Sequence, residues 1–414
     1  MADIYANSTI TIAASASSGP NRGLFRLADS KYVGRPLSSA PSFHMRHPMG
    51  HGGRDLPLLQ RGWAFQERIL SPRILHFAEH ELIWECMEYE DCECGSMRLD
   101  SLNSPGEYTG GYFQKTIDGE WPATKSHCHP ERWRSLKDDR KKIAGSWSRL
   151  VRNFSELELS KPNDIFPAIS GIAKSFREAT GWEYVAGMWK EGLIQNLSWY
   201  TSHPAIRCKI WRAPTFSWAS LQFPEKGKDR DCIAYEHMDD IQELATVVEA
   251  KSSPKGADPT GQLEDAYIIL SGTMIQATVD KYFIKPLQSS TQSIEPLTSS
   301  ETHDTPSTEM SSIRHRNRDH FTFHADFYHR LEPGANVHCL KLLEAKWQGK
   351  NAAYLVLSKK SSTPWDCNGM KGECEFERLG LMESRLQKDK FHPKIFEEES
   401  PEHAFQHNAV VKIV

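Results

Sequence analysis

The sequence predicts an α+β protein, and three observations carry that expectation. Ile143, Trp147, Leu150, Val151 and Phe154 fall at the i, i+4, i+7, i+8 spacing of one buried helical stripe. After Pro214 the pattern changes to short alternating runs separated by turn residues, as in an antiparallel sheet or sandwich. Upstream of both lie Arg73–Ala78 and Glu81–Cys86, two β-type runs flanking a Glu79-His80 tip, which read as a hairpin.

Taken in order, Met1–Tyr5 reads as the end of a helix that runs through Asn7 into an alternating strand at Ser8–Ala14. A polar Gly/Pro/His-rich connection covers Ser15–Pro57, and a short helix at Trp63–Leu70 is stopped by Ser71-Pro72. One helix is expected over Trp133–Leu157. A second starts at Asp164 as N-cap, carries Pro167 in its first turn and ends near Gly181, and a third covers about Glu183–Leu197. Strands are expected at Phe216–Leu221, Ile241–Ala250, Ala266–Ser271, Thr273–Val279, Val337–Leu343, Ala353–Leu357, Phe376–Leu381 and Val410–Val414. The Ser/Thr/Pro/Glu-dense stretch within 285–318 has too few aliphatic side chains to offset its ordering entropy and reads as a disordered insertion.

Composition narrows the function classes. With 39% hydrophobic and 25% charged residues the chain is an ordinary globular one, so fibrous and disordered classes are excluded for it as a whole. A formal charge of −4 gives no field that would collect nucleic acid. The one basic cluster, Arg132, Arg134, Arg140–Lys142, Arg149 and Arg152, alternates with apolar residues and reads as a solvated helix face. Nine cysteines in no disulfide framework point to a reducing compartment. The run Thr9–Ser17 lacks a preceding base and is not read as a signal peptide, and no apolar stretch is long enough for a membrane span. A cytoplasmic location is the expectation.

Several blocks in order carry a resemblance. Ile4-Tyr5-Ala6-Asn7-Ser8-Thr9-Ile10-Thr11-Ile12-Ala13-Ala14, then Gly23-Leu24-Phe25, Arg61-Gly62-Trp63-Ala64-Phe65-Gln66-Glu67-Arg68-Ile69-Leu70-Ser71 and Trp84-Glu85-Cys86 resemble the heterokaryon-incompatibility (HET) domain of filamentous fungi, with Ser8 where Ala is commoner. Asp164 with Ala168–Ala173, Tyr184–Trp189, Leu197-Ser-Trp199 and Pro214–Ser220 resemble the region that commonly follows it. The family's Tyr-Trp-Gly and aromatic-Ile-Asp-x-x-Cys-Ile blocks are absent, so the resemblance implies that residues 1–100 correspond to the C-terminal half of a HET domain with a partial α/β, TIR-like core. It further implies a connecting loop at 101–132, a helical region at 133–221 and a β-rich region at 222–414. The implied role is interaction and signalling in non-self recognition and regulated cell death of an ascomycete, with a protein partner or self-association. A shortened domain of this kind is expected neither to hydrolyse NAD nor to trigger death alone.

An enzyme reading stands beside it. HET domains are thought to resemble TIR domains, some of which cleave NAD; NAD enters by that resemblance alone, and an enzyme of fungal specialised metabolism is a further alternative. Within the motif, Trp63, Gln66 and Glu67 share about one helical turn, and Glu67 is the candidate catalytic carboxylate, able to act as general base or to bind a ribose hydroxyl. The alternative places Trp63 in the core and pairs Arg61 with Glu67 as an ion pair or cap. Tyr5, Arg61, Gly62, Trp63, Gln66, Glu67, Trp84, Glu85 and Cys86 are the motif residues. By residue type, Cys86, Cys92, Cys94, His127, Cys128 and His129 could supply zinc ligands, yet no Cys-x-x-Cys occurs there and a loop of ordinary thiols is the favoured reading. His44, His47 and His51 read as surface histidines, and Trp182, Trp189, Trp199, Trp211 and Trp218 as core. Phosphate-loop, dinucleotide-fingerprint and nucleophile-elbow patterns do not occur.

Overall fold

The computed structural model describes residues 1–47, 56–95, 125–128, 130–136, 138–201, 205–224, 232–235, 241–280, 283–286, 321–326, 334–345, 352–360, 375–384 and 405–414. The chain is α+β with mostly antiparallel sheets, as the sequence predicts. It divides into two compact units, Met1–Gly192 with Ser253–Glu264, and Leu193–Ser252 with Asp265–Val414. No helix among the described residues is long and apolar enough to cross a membrane. Most of the expected 101–132 loop and of the expected insertion lies outside the described residues.

The first unit opens with helix α1 (Ala2–Ala6), whose end is tied off by Asn7 Nδ2 donating to the Asp3 carbonyl and Ser8 Oγ donating to the Tyr5 carbonyl. Because Ser8 is used in that way, the following strand β1 is only Thr11–Ala13, shorter than expected. Strands β2 (Arg35–Leu37) and β3 (Ala40–Met45) form an exposed ribbon within what the sequence presents as a polar connection. Helix α2 (Gly62–Leu70) leads into β4 (Arg73–Phe77), β5 (Leu82–Cys86) and β6 (Glu90–Cys92). These make a four-stranded sheet in the order β1-β4-β5-β6, with β1 parallel to β4 and the rest antiparallel. The Glu79-His80 tip forms as expected, closed by Ala78 N–H donating to the Glu81 carbonyl at 3.1 Å.

The hairpin register, however, buries Ile74, His76, Ile83 and Glu85, while Leu75, Phe77 and Trp84 are only half-buried. Two ionisable side chains, His76 and Glu85, therefore share the inner face with Ile74 and Ile83. The outer-face pair Leu75 and Trp84 lie directly opposite one another, and Phe77 meets Phe25 edge-on at 5.7 Å between ring centroids.

The expected Trp133–Leu157 helix is two pieces, α3 (Pro130–Ser135) and α4 (Arg140–Ser155). They are separated because the Asp139 side chain accepts the Lys142 N–H and starts α4 afresh. The stripe Ile143, Trp147, Leu150, Val151 and Phe154 is fully buried, as its spacing requires. Helix α5 (Pro167–Thr180) begins after a 3-10 turn that contains Asp164, and ends at Gly181 in the left-handed region at φ 75°. The third expected helix is wrong over most of its length. Tyr184–Val185 (β7) and Met188–Trp189 (β8) form a tight hairpin around Ala186-Gly187, both at positive φ. A 3-10 turn and the one-turn α6 (Leu193–Asn196) follow. With every residue of Tyr184–Trp189 buried, apolar periodicity cannot distinguish helix from strand, and the Gly-containing turn decides. Trp133, Trp147, Phe176, Trp182, Tyr184 and Trp189 make the aromatic centre of this unit, with Phe176 stacked on Trp189 at 4.6 Å.

In the second unit, β9 (Trp199–Thr201) pairs with β12 (Ile233–Tyr235), and β10 (Ile206–Arg207) with β11 (Leu221–Gln222). The expected Phe216–Leu221 strand is mainly a 3-10 turn, Trp218–Ser220, capped by Ser217. Trp199 and Trp218 are core as expected, but Trp211 is half exposed. The remaining strands are β13 (Ile241–Glu243), β14 (Thr246–Pro254), β15 (Leu263–Asp280), β16 (Phe283–Pro286), β17 (Phe321–Ala325), β18 (Asn336–Ala345), β19 (Ala352–Lys359), β20 (Glu375–Ser384) and β21 (Phe405–Ile413). The runs Ala266–Ser271 and Thr273–Val279 fuse into the single strand β15, with a register irregularity at Gly272–Met274. That bend lets β15 pair with β21 through its first part and with β18 through its second, closing a circuit β15-β18-β19-β20-β21 in place of a sandwich. Ile275, Val337, Cys339, Tyr354, Val356 and Met382 pack together in one buried cluster.

Candidate functional site

The motif helix α2 is the hub of the first unit, and each of its polar residues is committed to a neighbour. Gly62 N–H donates to the Glu158 carbonyl at 2.7 Å, and a Cβ at Gly62 would come within 2.6 Å of Leu159 Cδ2, so any larger residue here must push the Leu159 side chain aside. The Trp63 indole N–H donates to Asp164 Oδ2 at 3.1 Å, which explains why Asp164 sits in a turn instead of capping α5. Gln66, 3% exposed, accepts the Gly171 N–H of α5 through Oε1 at 2.5 Å. Glu67 is half-buried and faces the Tyr5 phenol of α1, where burial first, then the charge of Glu67 and a hydrogen bond to it, raise the Tyr5 pKa. Arg61 is exposed, its backbone bridging to Glu158, so Glu67 meets Tyr5 and not Arg61.

Beneath this helix runs a buried ionic network that the sequence reading did not assemble. Arg68 Nε donates to both oxygens of Glu85 at 3.0 and 2.8 Å, and Nη2 donates to Oε1 at 2.8 Å. His76 Nε2 lies 3.0 Å from Glu85 Oε2, and Ser15 Oγ lies 2.8 Å from His76 Nδ1. Since a carboxylate only accepts, the imidazole carries its proton on Nε2 and takes the Ser15 hydroxyl hydrogen at Nδ1. Lys125 Nζ donates to the carbonyls of Arg68 and Ser71, both at 2.6 Å.

The electrostatics follow from this packing. Burial works to raise the Glu85 pKa, but the charges of Arg68 and Lys125 and the hydrogen bonds from His76 and Arg68 outweigh it and hold the carboxyl well below its ordinary range. Burial lowers His76, whose contact with Glu85 only partly opposes it, so the ring is neutral at pH 7. Burial also brings Lys125 down to about 8 and pushes the Cys128 thiol up to about 12. Glu90 is pushed up to about 8, first by burial and then by the charge of Glu85. Its Oε1 is 3.8 Å from Arg68 Nη2, within ion-pair range yet too long for a hydrogen bond, and the neutral acid is the better description.

A hydroxyl, an imidazole and a carboxylate in series resemble a nucleophile relay, but Ser15, His76 and Glu85 are 0%, 3% and 2% exposed. No substrate reaches them. The series joins the chain after β1 to β4, β5 and α2, and its chemical consequence is rigidity.

Of the candidate zinc ligands weighed from the sequence, only some lie among the described residues, and these separate into different places. Cys86 Sγ contacts the Tyr89 carbonyl, Cys128 is buried beside Arg68, only the backbone of His127 is described, and His129 lies outside the described residues. Cys92 and Cys94 do come together, with Sγ atoms 3.1 Å apart, and the third member of their group is Glu81. Glu81 was missed because only the β5–β6 pairing brings the hairpin tip to the Cys-x-Cys turn. Of the histidines read as surface groups, His44 and His47 are exposed and His51 lies outside the described residues. Of the basic cluster, Arg132, Arg134, Arg140, Lys141 and Lys142 are solvated as expected, whereas Arg149 and Arg152, further along the buried stripe of α4, are half-buried. Compared with known protein families, with curated proteins and with solved structures, the chain matches none.

Proposed function

We propose that the chain is a HET-type interaction and signalling protein, acting in non-self recognition and regulated cell death through a protein partner. The observation that supports this reading is where apolar surface is left in solvent. Among the described residues, Ile4, Ile10, Ile12, Phe25, Leu27, Phe43 and Met45 all lie between 42% and 97% exposed. These side chains are available for a partner to cover. Ile10 and Ile12 border β1, which is the edge strand of its sheet among the described residues, so a partner strand could add there with its backbone while its side chains cover the isoleucines. The motif supports the same reading, since Gly62, Trp63 and Gln66 are all engaged in packing.

The second reading, NAD cleavage, rests on Glu67 beside Tyr5. Both readings are tested in filamentous strains that are undergoing an incompatibility reaction. Expression of this chain should alter the death response, Ile12→Asp should abolish the effect, and Glu67→Gln should preserve it with cellular NAD unchanged. A response indifferent to the chain removes the interaction reading. NAD loss that Glu67→Gln abolishes makes the enzyme reading primary.

A further inference from the structure

We propose that Cys92, Cys94 and Glu81 form a binding site for one thiophilic divalent cation, with zinc as its natural type. The ligand atoms of all three lie within 4.8 Å of one another, and the two thiols are 3.1 Å apart. A tetrahedral zinc with Zn–S bonds of about 2.3 Å holds its sulfurs about 3.8 Å apart. The pair therefore needs to open by roughly 0.7 Å, a rotamer adjustment on a turn.

That turn is built. Cys92 sits at the end of β6 opposite Ile83, Glu93 N–H donates to the Leu82 carbonyl at 3.1 Å, and Gly95 N–H closes back on the Cys92 carbonyl at 2.8 Å. Gly95 is at φ 74°, which allows the chain to turn there without strain. Glu81 is held in place because its Oε2 accepts the Cys94 N–H at 3.0 Å, which keeps the carboxylate beside the two sulfurs. The back wall is apolar: Cys92 packs with Leu56, Ala78 and Ile83. Two thiolates, one carboxylate and a divalent ion carry a net charge of −1, and Arg46, whose Nη2 donates to the Cys94 carbonyl at 2.5 Å, places a positive charge beside them.

Binding is written as M²⁺ plus two thiols and one carboxylate giving the bis-thiolate carboxylate complex and two protons released to solvent. Affinity should then fall by up to about 100-fold per pH unit below the thiol pKa values.

The test uses the full chain, freshly reduced and stripped with chelator. Zn²⁺ is titrated against a chromophoric competitor, Cd²⁺ is used to read the thiolate-to-metal absorption band, and Zn²⁺ protection of each cysteine from alkylation is mapped by peptide mass. The expected result is one ion per chain, with Cys92 and Cys94 protected and Cys86 and Cys128 unchanged by metal. Cys94→Ser should abolish the band, Cys86→Ser should keep it, and Glu81→Gln, which still accepts the Cys94 N–H, should weaken binding about tenfold or more. Peptide-level protection in the unsubstituted chain keeps the test valid if Cys94→Ser fails to fold. Absence of a thiolate band, protection at cysteines other than 92 and 94, or binding that survives Cys94→Ser overturns the proposal.

Discussion

Replacing Arg68 with Met removes one side of a buried ion pair and keeps most of the side-chain volume, so the result reports charge and not a cavity. Three charge-assisted hydrogen bonds between 2.8 and 3.0 Å are lost, and Glu85, 2% exposed, keeps its charge with Lys125 and His76 as its remaining partners. Breaking a buried pair in this way costs about 3–5 kcal/mol. An upper limit comes from protonation: Glu85 can escape by taking up a proton. From an unfolded pKa of about 4.3 that costs roughly 1.4 kcal/mol for each of the 2.7 units up to pH 7, or about 3.7 kcal/mol. The expected loss is therefore about 3 kcal/mol at pH 7, read from urea unfolding followed by tryptophan fluorescence and assigned to the first unit's transition. Protonation becomes cheaper in acid, so the deficit relative to the unsubstituted chain should narrow between pH 7 and pH 5. Arg68→Met with Glu85→Leu leaves neither charge and should recover much of the loss. A loss below about 1 kcal/mol in the single variant, or a double variant as unstable as the sum of its parts, would refute the reasoning.

Three further outcomes are expected. His76 has a folded pKa below its unfolded value of about 6.5, so below that pH the unfolded state binds a proton that the folded state refuses, and stability present above pH 6.5 is lost as pH falls. Urea midpoints should decline from pH 7 to pH 5.5, and His76→Gln should flatten that decline; an unchanged slope would show that the ring is not the titrating group. Gly380→Ala in β20 would drive a Cβ into the His324 backbone carbonyl of β17, with Phe323 Cε2 at 2.9 Å, and should cost about 2–3 kcal/mol in thermal unfolding, whereas a variant within 0.5 kcal/mol would mean that the two strands separate freely. Trp63→Phe keeps a ring but loses the bond to Asp164, for an expected cost near 1 kcal/mol. Asp164→Ala should add little on top of it, and full additivity in a double-mutant cycle would show the two side chains to be uncoupled.

What the sequence by itself determined is the local and periodic part of this protein. The stripe on α4, the stop of α2 at Ser71-Pro72, the end of α5 at Gly181, the Glu79-His80 tip and most strands of the second unit follow from apolar spacing and turn chemistry, which act over a few residues. The motif around Gly62, Trp63 and Gln66 was also legible as a unit, though not what each side chain touches. Tertiary structure decided the rest. Tyr184–Trp189 is a hairpin because six consecutive buried residues carry no period and the Ala186-Gly187 turn prevails. The closed strand circuit depends on where β15 bends, and the return of Ser253–Glu264 to the first unit places Asp258 on Ser170 and Lys174 across some ninety residues of chain. Arg68, Glu85, His76 and Ser15 read as unrelated polar residues, and Glu81 as a hairpin tip far from Cys94. They meet only because strand register sets which side chains face inward, and a shift of one residue would turn His76 and Glu85 outward and take the Glu85 carboxylate away from Arg68.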